Sequence, residues 1–397
     1  MDSPKLNLSD AKKTLIGVVL IKLSTGIIST WGSINLYLLS YFHQQGESVS
    51  SSTNSLLLLG IVVPTSLIIL IAPAISNRIG YELTIKLCGW IFLVSPQLLI
   101  MKTTVLTTWI FGLLIPCSCF AVSTIPLFNC MWTQFPQHRN KVTSVAVTCF
   151  SLGGILWNTL FTILVNPNNL KTTIEEEGMQ FFSEDVSNLV IPVFRGLFGI
   201  SGIMFVTGSY YIKRGSEEPI IEDAQKLVEV NEIKEYEEYE ILDRLSGGAF
   251  SVRKSEQLLP DETVVYLSQA LKNWKFIFVF LISLFSGLYQ IFIMMNVKII
   301  YMPIVQDDYF IVECLVVSTV ISIGGAFFWG YLGDKYGFFS TLFAFTFIDL
   351  VIKVFGCFSV SKLGILLLFC GIGLVDKAML TIMGPGLVEI FGIKLAT

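Results

Sequence analysis

The chain has 397 residues, 53% of them hydrophobic and 14% charged, with a net charge of −4 and a mean hydropathy of +0.71. Soluble proteins carry about 25% charged residues, so a water-facing globular surface is excluded. The negative balance excludes a basic nucleic-acid binder. Spanning a bilayer core of ~30 Å takes about 20 apolar residues per helix.

In chain order, the polar start MDSPKLNLSDAKK has no small-residue cleavage site and predicts no removed signal peptide. Ten apolar runs follow: Thr14–Phe42, Asn54–Ile75, Leu83–Met101, Thr103–Trp132, Lys141–Val165, Leu189–Ile212, Trp274–Met302, Tyr309–Leu332, Gly337–Phe358 and Lys362–Met383. Each reads as a membrane-spanning helix. Pro64, Pro73, Pro96, Pro116 and Pro126 lie inside runs, which transmembrane helices tolerate.

With the N-terminus inside, the cytoplasmic segments hold 18 of the 26 Lys and Arg, the outer segments three (Lys102, Lys171, Lys362), and the spans five. This asymmetry predicts a cytoplasmic N-terminus. Between the sixth and seventh runs, Gly215–Asn273 carries 14 acidic and six basic residues. Within it Leu227, Val230, Ile233, Ile241, Leu242 and Leu245 recur at roughly helical spacing, either as a short amphipathic helix or as part of a solvated linker. The predicted organisation is therefore a six-helix bundle over 1–214, an acidic cytoplasmic linker over 215–273 and a four-helix bundle over 274–397.

The two groups share a signature. The second run ends in Pro73-Ala74-Ile75-Ser76-Asn77-Arg78-Ile79-Gly80 and the eighth in Gly330-Tyr331-Leu332-Gly333-Asp334-Lys335-Tyr336-Gly337, at matching offsets. Here the chain resembles the major facilitator superfamily, whose loops after helices two and eight carry Gly-x-x-x-Asp-Arg/Lys-x-Gly. Small residues allow close helix contact, and the final glycine allows a tight turn. The first copy departs from the pattern at Pro73 and Asn77, so a gating contact there lacks the acid's charge. The resemblance implies an all-α polytopic bundle of two pseudo-symmetric halves, and Asn77, Arg78, Gly80, Gly330, Asp334, Lys335 and Gly337 as gating residues. It also implies twelve helices where ten are present. Gly384-Pro385-Gly386 through Lys394 reads as the approach to an eleventh, so the chain is expected to lack its last two.

Three further stretches are similar to the oxalate/formate antiporter and monocarboxylate transporter branch. They are Thr30-Trp31-Gly32-Ser33-Ile34-Asn35-Leu36-Tyr37 with Ser40-Tyr41-Phe42, Trp132-Thr133-Gln134-Phe135-Pro136 with Arg139-Asn140-Lys141, and Ala270-Leu271-Lys272-Asn273-Trp274-Lys275-Phe276. The branch implies a secondary transporter of small organic anions, coupled to protons or a counter-anion.

Charges inside spans are expensive and mark function. Lys22, Arg195, Lys298, Lys353 and Lys377 are the bases, with Asp349 and Asp376 the acids at comparable depth. The positive excess favours an anionic solute. In the superfamily helices 1, 4, 7 and 10 line the path, which selects Lys22, Lys298 and Lys377. Lys22 and Lys298 either face that path or snorkel to the nearest interface. Asp376 and Lys377 are neighbours, ~100° apart on a helix, and are not expected to pair. Asp349 and Lys353 are four apart in the favourable order and are expected to neutralise each other. Arg195 needs either a helix-terminal carbonyl or a solute carboxylate. Trp31, Asn35, Tyr37, Asn129, Tyr289 and Gln290 add stacking and hydrogen bonding on helices 1, 4 and 7, or serve as helix-to-helix glue.

The two histidines, His43 and His138, fall in turns, so a coupled proton falls to Asp349 or Asp376. No phosphate-binding Gly-x-x-x-x-Gly-Lys loop, nucleophile elbow or His-Glu-x-x-His motif is present. The eight cysteines show no Cys-x-x-Cys pair, and no cofactor is expected. A nutrient sensor using the acidic segment to bind partners, an inert incomplete chain and, with least support, an enzyme are the rival readings.

Overall fold

The computed structural model describes residues 8–47, 49–100, 103–135, 139–176, 179–215, 274–379 and 381–382. The acidic segment with its amphipathic stretch and the approach to an eleventh helix lie outside the described residues.

The chain is an all-α polytopic bundle. Helix α1 runs Leu8–Thr25, passes through a 3-10 turn at Gly26–Thr30 and continues as Trp31–Gln44. Helix α2 is Ser51–Ile79. Helix α3 is Tyr81–Val94, extended by a 3-10 turn at Ser95–Ile100. Helix α4 begins at Val105–Thr107, is π-helical over Thr108–Leu114 and continues as Ile115–Gln134. Helices α5 and α6 are Arg139–Val165 and Glu184–Tyr211. Helix α7 is Trp274–Met295 and, after a break at Asn296, Val297–Val305. Helices α8, α9 and α10 are Asp308–Tyr336, Phe338–Gly356 and Lys362–Asp376. Among the described residues nine helices are long and apolar enough to cross a membrane, which makes the chain an integral multi-pass membrane protein.

Local chemistry sets the helix ends. Ser50 and Thr53 form a reciprocal cap at the start of α2, and Thr104 and Thr107 do so at the start of α4. The Asp307 carboxylate accepts the Phe310 N–H at 3.2 Å to start α8, one residue earlier than the hydropathy run. Glycines bring helices together where no hydrophobic force distinguishes protein from lipid. A Cβ on Gly26 would meet the Gly153–Gly154 backbone, joining α1 to α5, and one on Gly17 would meet Gly208, joining α1 to α6. Gly325 against Leu374 and Gly373 against Ser318 join α8 to α10. One element has no counterpart in the hydropathy pattern. Between α5 and α6, β1 (Ile174–Glu176) pairs antiparallel with β2 (Met179–Phe181), with Ile174 opposite Phe181. Its buried Met179 and Phe181 hold it down, and the Phe181 ring stacks on His43 at 4.3 Å.

Candidate functional site

The first six helices and the last four enclose a cavity of about 470 Å³. Its wall comes from α1 (Ser29, Gly32, Ser33), α5 (Ser151, Gly154, Asn158), α7 (Ser286, Gln290, Met294), α8 (Leu315, Val316, Thr319) and the end of α10 (Asp376, Lys377). Asp376 accepts a hydrogen bond from Gln290 Nε2 at 3.0 Å and pairs with Lys377 Nζ at 2.8 Å. The side chains of Asp376 and Lys377 keep 28% and 20% of their exposure, so a solute in the cavity reaches both. Two buried polar atoms on lining residues, Asn158 Oδ1 and Ser33 Oγ, have no hydrogen-bond partner among the described residues.

Hydrogen bonds between the two sets of helices cluster toward the Gln44 end of α1. Asn35 Nδ2 donates to the Met295 carbonyl at 2.7 Å. A Cβ on Gly32 would overlap the Met294 carbonyl oxygen, so glycine sets this approach of α1 to α7. Deeper in the same contact is a sealed ion pair, Lys298 with Asp308 at 2.6 Å, both side chains fully buried. Tyr37 Oη and Asn166 Nδ2 (3.0 Å) donate to Asp308 Oδ2. Lys298 Nζ reaches Thr162 Oγ1 at 3.5 Å and sits 3.9 Å over the Tyr37 ring. The charges thus belong to the last four helices, while the neutral groups gripping them belong to α1, to α5 and to Asn166 just after it. A second layer follows. Asn169 Oδ1 accepts from the Asp308 N–H at 3.0 Å, Asn169 Nδ2 donates to Asp307 at 3.0 Å, and Tyr309 Oη donates to the Pro167 carbonyl at 2.7 Å. Lys362 pairs with Asp307 at 2.6 Å. Burial works to raise the Asp307 carboxyl, but hydrogen bonds from Lys362, Asn169 and the Phe310 N–H outweigh it and hold the group below the usual aspartate value.

The repeated signature forms two matching turns. Gly80 (φ 98°) and Gly337 (φ 79°) both adopt positive φ, a conformation open to glycine. Each N–H closes the helix before it, Gly80 onto Ser76 at 2.9 Å and Gly337 onto Gly333 at 3.0 Å. Each carbonyl accepts a threonine hydroxyl four residues later, Thr84 at 2.8 Å and Thr341 at 2.9 Å. Asn77 Oδ1 accepts from the Tyr81 phenol at 2.6 Å, and Lys335 lies over the Tyr331 and Tyr336 rings. Arg78 is exposed, and a Cβ on Gly330 would sit 3.3 Å from Thr381, a close contact with the residues after α10. Asp334 lies in the last turn of α8.

Several expectations change. Of the ten candidate solute contacts, the cavity gathers Gln290, Asp376 and Lys377. Asp376 and Lys377 pair although adjacent, at the turn where α10 ends and Lys377 takes φ −96° and ψ −2°. Tyr37 and Lys298 belong to the sealed cluster. Lys298 does not snorkel, since Asp308 neutralises it where it stands. Asn35 bonds backbone across the α1–α7 contact. Trp31 packs among Ile27, Leu58, Ile61 and Leu113, away from the cavity. Tyr289 turns toward Lys353 and Gly356 on α9. Asn129 is absent from the cavity wall, and its helix α4 packs chiefly on α2 and α3. Lys22 is 4% exposed and lies over the Phe120 and Phe128 rings at 5.2 and 4.8 Å, so it too does not snorkel. Asp349 and Lys353 do pair, at 2.6 Å. The count of two acids at depth omits Asp308, which the hydropathy boundary at Tyr309 left outside the span. The residues missed were Asp308, Asn158, Thr162 and Asn166. The last three recur every four residues along α5 and the residue just after it, a polar stripe at helical spacing.

No protein-family profile and no curated protein sequence matches the chain. Solved transporter structures share its fold. The inward-open xylose transporter XylE from E. coli superposes with a TM-score of 0.58 at 16% identity, covering 97% of this chain and 84% of the other. A D-xylose–proton symporter gives 0.56 at 18% identity, covering 98% and 85%. A bacterial homologue of the human lysosomal transporter Spinster, inward-facing and unoccupied, gives 0.57 at 11% identity, covering 98% and 76%. The fold of the chain is that of these transporters, and at such identities the likeness establishes architecture alone.

Proposed function

We propose that the chain is a secondary transporter that works by alternating access and moves a small organic anion. The observation that carries this reading is the Gln290–Asp376–Lys377 cluster in a cavity between two sets of helices. Secondary transporters bind near the bilayer midplane at the interface of two repeats that rock against each other. The hydrogen bonds at the Gln44 end supply one closed gate, and the two signature turns at the opposite end supply moving corners. The Lys and Arg distribution supports the Leu8 end as cytoplasmic, so the cavity is read as facing inward.

In this mechanism Asp376 holds Lys377 when the cavity is empty. A solute carboxylate replaces Asp376 at Lys377, and Asp376 either takes a proton or keeps its bond from Gln290. Proton uptake by Asp376 gives symport, and exchange of one carboxylate for another at Lys377 gives antiport. A neutral polar solute is the second reading. It is favoured by the paired charges and by the serine, threonine and amide lining. The xylose transported by two of the structural relatives belongs to that class.

Uptake of labelled oxalate, formate, lactate, pyruvate and xylose into proteoliposomes tests both readings. Flux of a carboxylate that falls at least tenfold in Lys377→Met is expected. Flux of xylose alone overturns the anion reading, and flux of none overturns solute transport for this panel. Deleting residues 216–267 separates transporter from sensor, since flux that survives the deletion excludes a role that runs through the acidic segment.

A further inference from the structure

The five basic residues within the spans differ in what neutralises them. Lys298, Lys353 and Lys377 each hold an aspartate within 2.8 Å. Arg195 lies on α6, away from the cavity. Among the described residues Lys22 is paired with aromatic faces and with no acid. Its ammonium lies 4.8 Å from the Phe128 ring centre and 5.2 Å from that of Phe120, and among the described residues no carboxylate pairs with it. A ring face attracts a cation but does not cancel its charge, and a buried cation without a counter-ion is costly. The position is also adjacent to the transport path. Phe120 stacks on Phe150 at 5.4 Å, and Phe150 lines the cavity. Lys22 lies seven residues, two turns, from Ser29 on the same helix, on its Leu8 side. One layer of aromatic rings therefore separates the cavity from an uncompensated positive charge.

We propose that Lys22 is a second anion-binding position, reached from the cavity when the Phe120 side chain swings aside. The solute class is a small carboxylate, such as oxalate or formate. The inference rests on the anion reading above and adds a residue with a different energetic character. An anion arriving at Lys377 displaces Asp376, and one arriving at Lys298 displaces Asp308, whereas an anion at Lys22 breaks no existing ion pair. Lys22 then supplies the net positive charge that the cavity, with its paired Asp376 and Lys377, does not. A carboxylate leaving Lys377 toward the Leu8 end meets Lys22 next.

The test is binding of oxalate and of formate to the full chain in lipid nanodiscs, by calorimetry, for the parent, Lys22→Met, Lys22→Arg and Lys377→Met. Folding is checked by size exclusion and thermal unfolding. The expected result is at least tenfold weaker binding in Lys22→Met, near-parent binding in Lys22→Arg, and one fewer bound anion in each methionine variant where the parent binds two. Equal affinity and stoichiometry in parent and Lys22→Met, with loss in Lys377→Met, overturns the Lys22 site and leaves the anion reading standing. No anion binding to the parent overturns both. If Lys22→Met does not fold, Phe120→Ala replaces it as the deciding variant. Removing the ring is expected to speed anion association several-fold, and an unchanged association rate overturns the proposal.

Discussion

Of the Asp–Lys pairs in the last four helices, Lys298–Asp308 and Asp376–Lys377 share their chemistry and differ most in their surroundings. Lys298–Asp308 is sealed, with both side chains fully buried and the remaining polar positions filled by Tyr37, Asn166 and Thr162. Asp376–Lys377 faces a cavity, with a quarter or so of each side chain exposed and Gln290 as its neighbour. A sealed pair fixes geometry, because removing either member strands a charge. An open pair contributes little to stability, since water competes for it, and is free to exchange partners with a solute. On the proposed reading, the first pair holds one end of the bundle closed and the second meets the solute.

The comparison breaks most visibly at the sealed pair. Asp308→Ala is expected to cost about 3–5 kcal/mol, because Lys298 is left charged and buried. The double change Lys298→Met with Asp308→Leu should recover most of that loss, leaving about 1–3 kcal/mol for the stranded Tyr37 hydroxyl and Asn166 amide. Chemical unfolding followed by tryptophan fluorescence measures both. Tyr37→Phe removes one hydrogen bond to a charged acceptor and should cost about 1.5–3 kcal/mol on the same scale. Gly32→Val forces a side chain into the Met294 carbonyl and is expected to destabilise the closed Gln44 end by about 1–3 kcal/mol. Raised reactivity of a cysteine placed at Asn35 reads that opening.

The open pair sharpens the contrast from the other side. Asp376→Asn should change stability by less than about 1 kcal/mol while lowering proton-coupled carboxylate flux at least tenfold and sparing carboxylate exchange. The smallest effect is expected at the half-exposed Asp307–Lys362 pair. The Asp307 carboxyl is held below its ordinary value in the folded chain, so its contribution is fully present above that ordinary value, about 3.9. It is lost as pH falls through the lower folded value. With solvent screening the difference between parent and Asp307→Asn should stay under about 1 kcal/mol and shrink as the pH falls. Unfolding curves between pH 5 and pH 3 check the sign.

The bundle was legible in the sequence because spanning helices leave long apolar runs and positive-φ glycines leave a repeated spacing. Gly80 and Gly337 were read as equivalent from offsets alone, and their dihedrals and threonine contacts agree. The Asp349–Lys353 pair was readable too, being four residues apart on one helix. What the sequence hid depends on where helices stop and which face they turn. Asp376 and Lys377 pair at the end of α10, a boundary that hydropathy does not mark. Asp308 precedes the apolar run and so falls outside the span that hydropathy marks, although it is fully buried. A map of lining helices puts Asn129 on the path, whereas α4 packs chiefly on α2 and α3 and Asn129 is absent from the cavity wall. The hairpin at Ile174–Phe181 is held by burial of Met179 and Phe181 in the tertiary structure, which a local pattern of six residues does not reveal.

The most direct test of the account is the sidedness of the cavity. Val316 lines it on α8 and is partly exposed. In a chain whose eight native cysteines are replaced, Val316→Cys is to be reacted with a membrane-impermeant maleimide from each face of oriented vesicles. The account predicts rapid labelling from the face that carries Leu8, slow labelling from the opposite face, and faster labelling from that opposite face once Tyr37→Phe and Asn166→Leu loosen the sealed cluster. Equal labelling from both faces of the otherwise unaltered protein, or labelling from the Gln44 face alone, would contradict it.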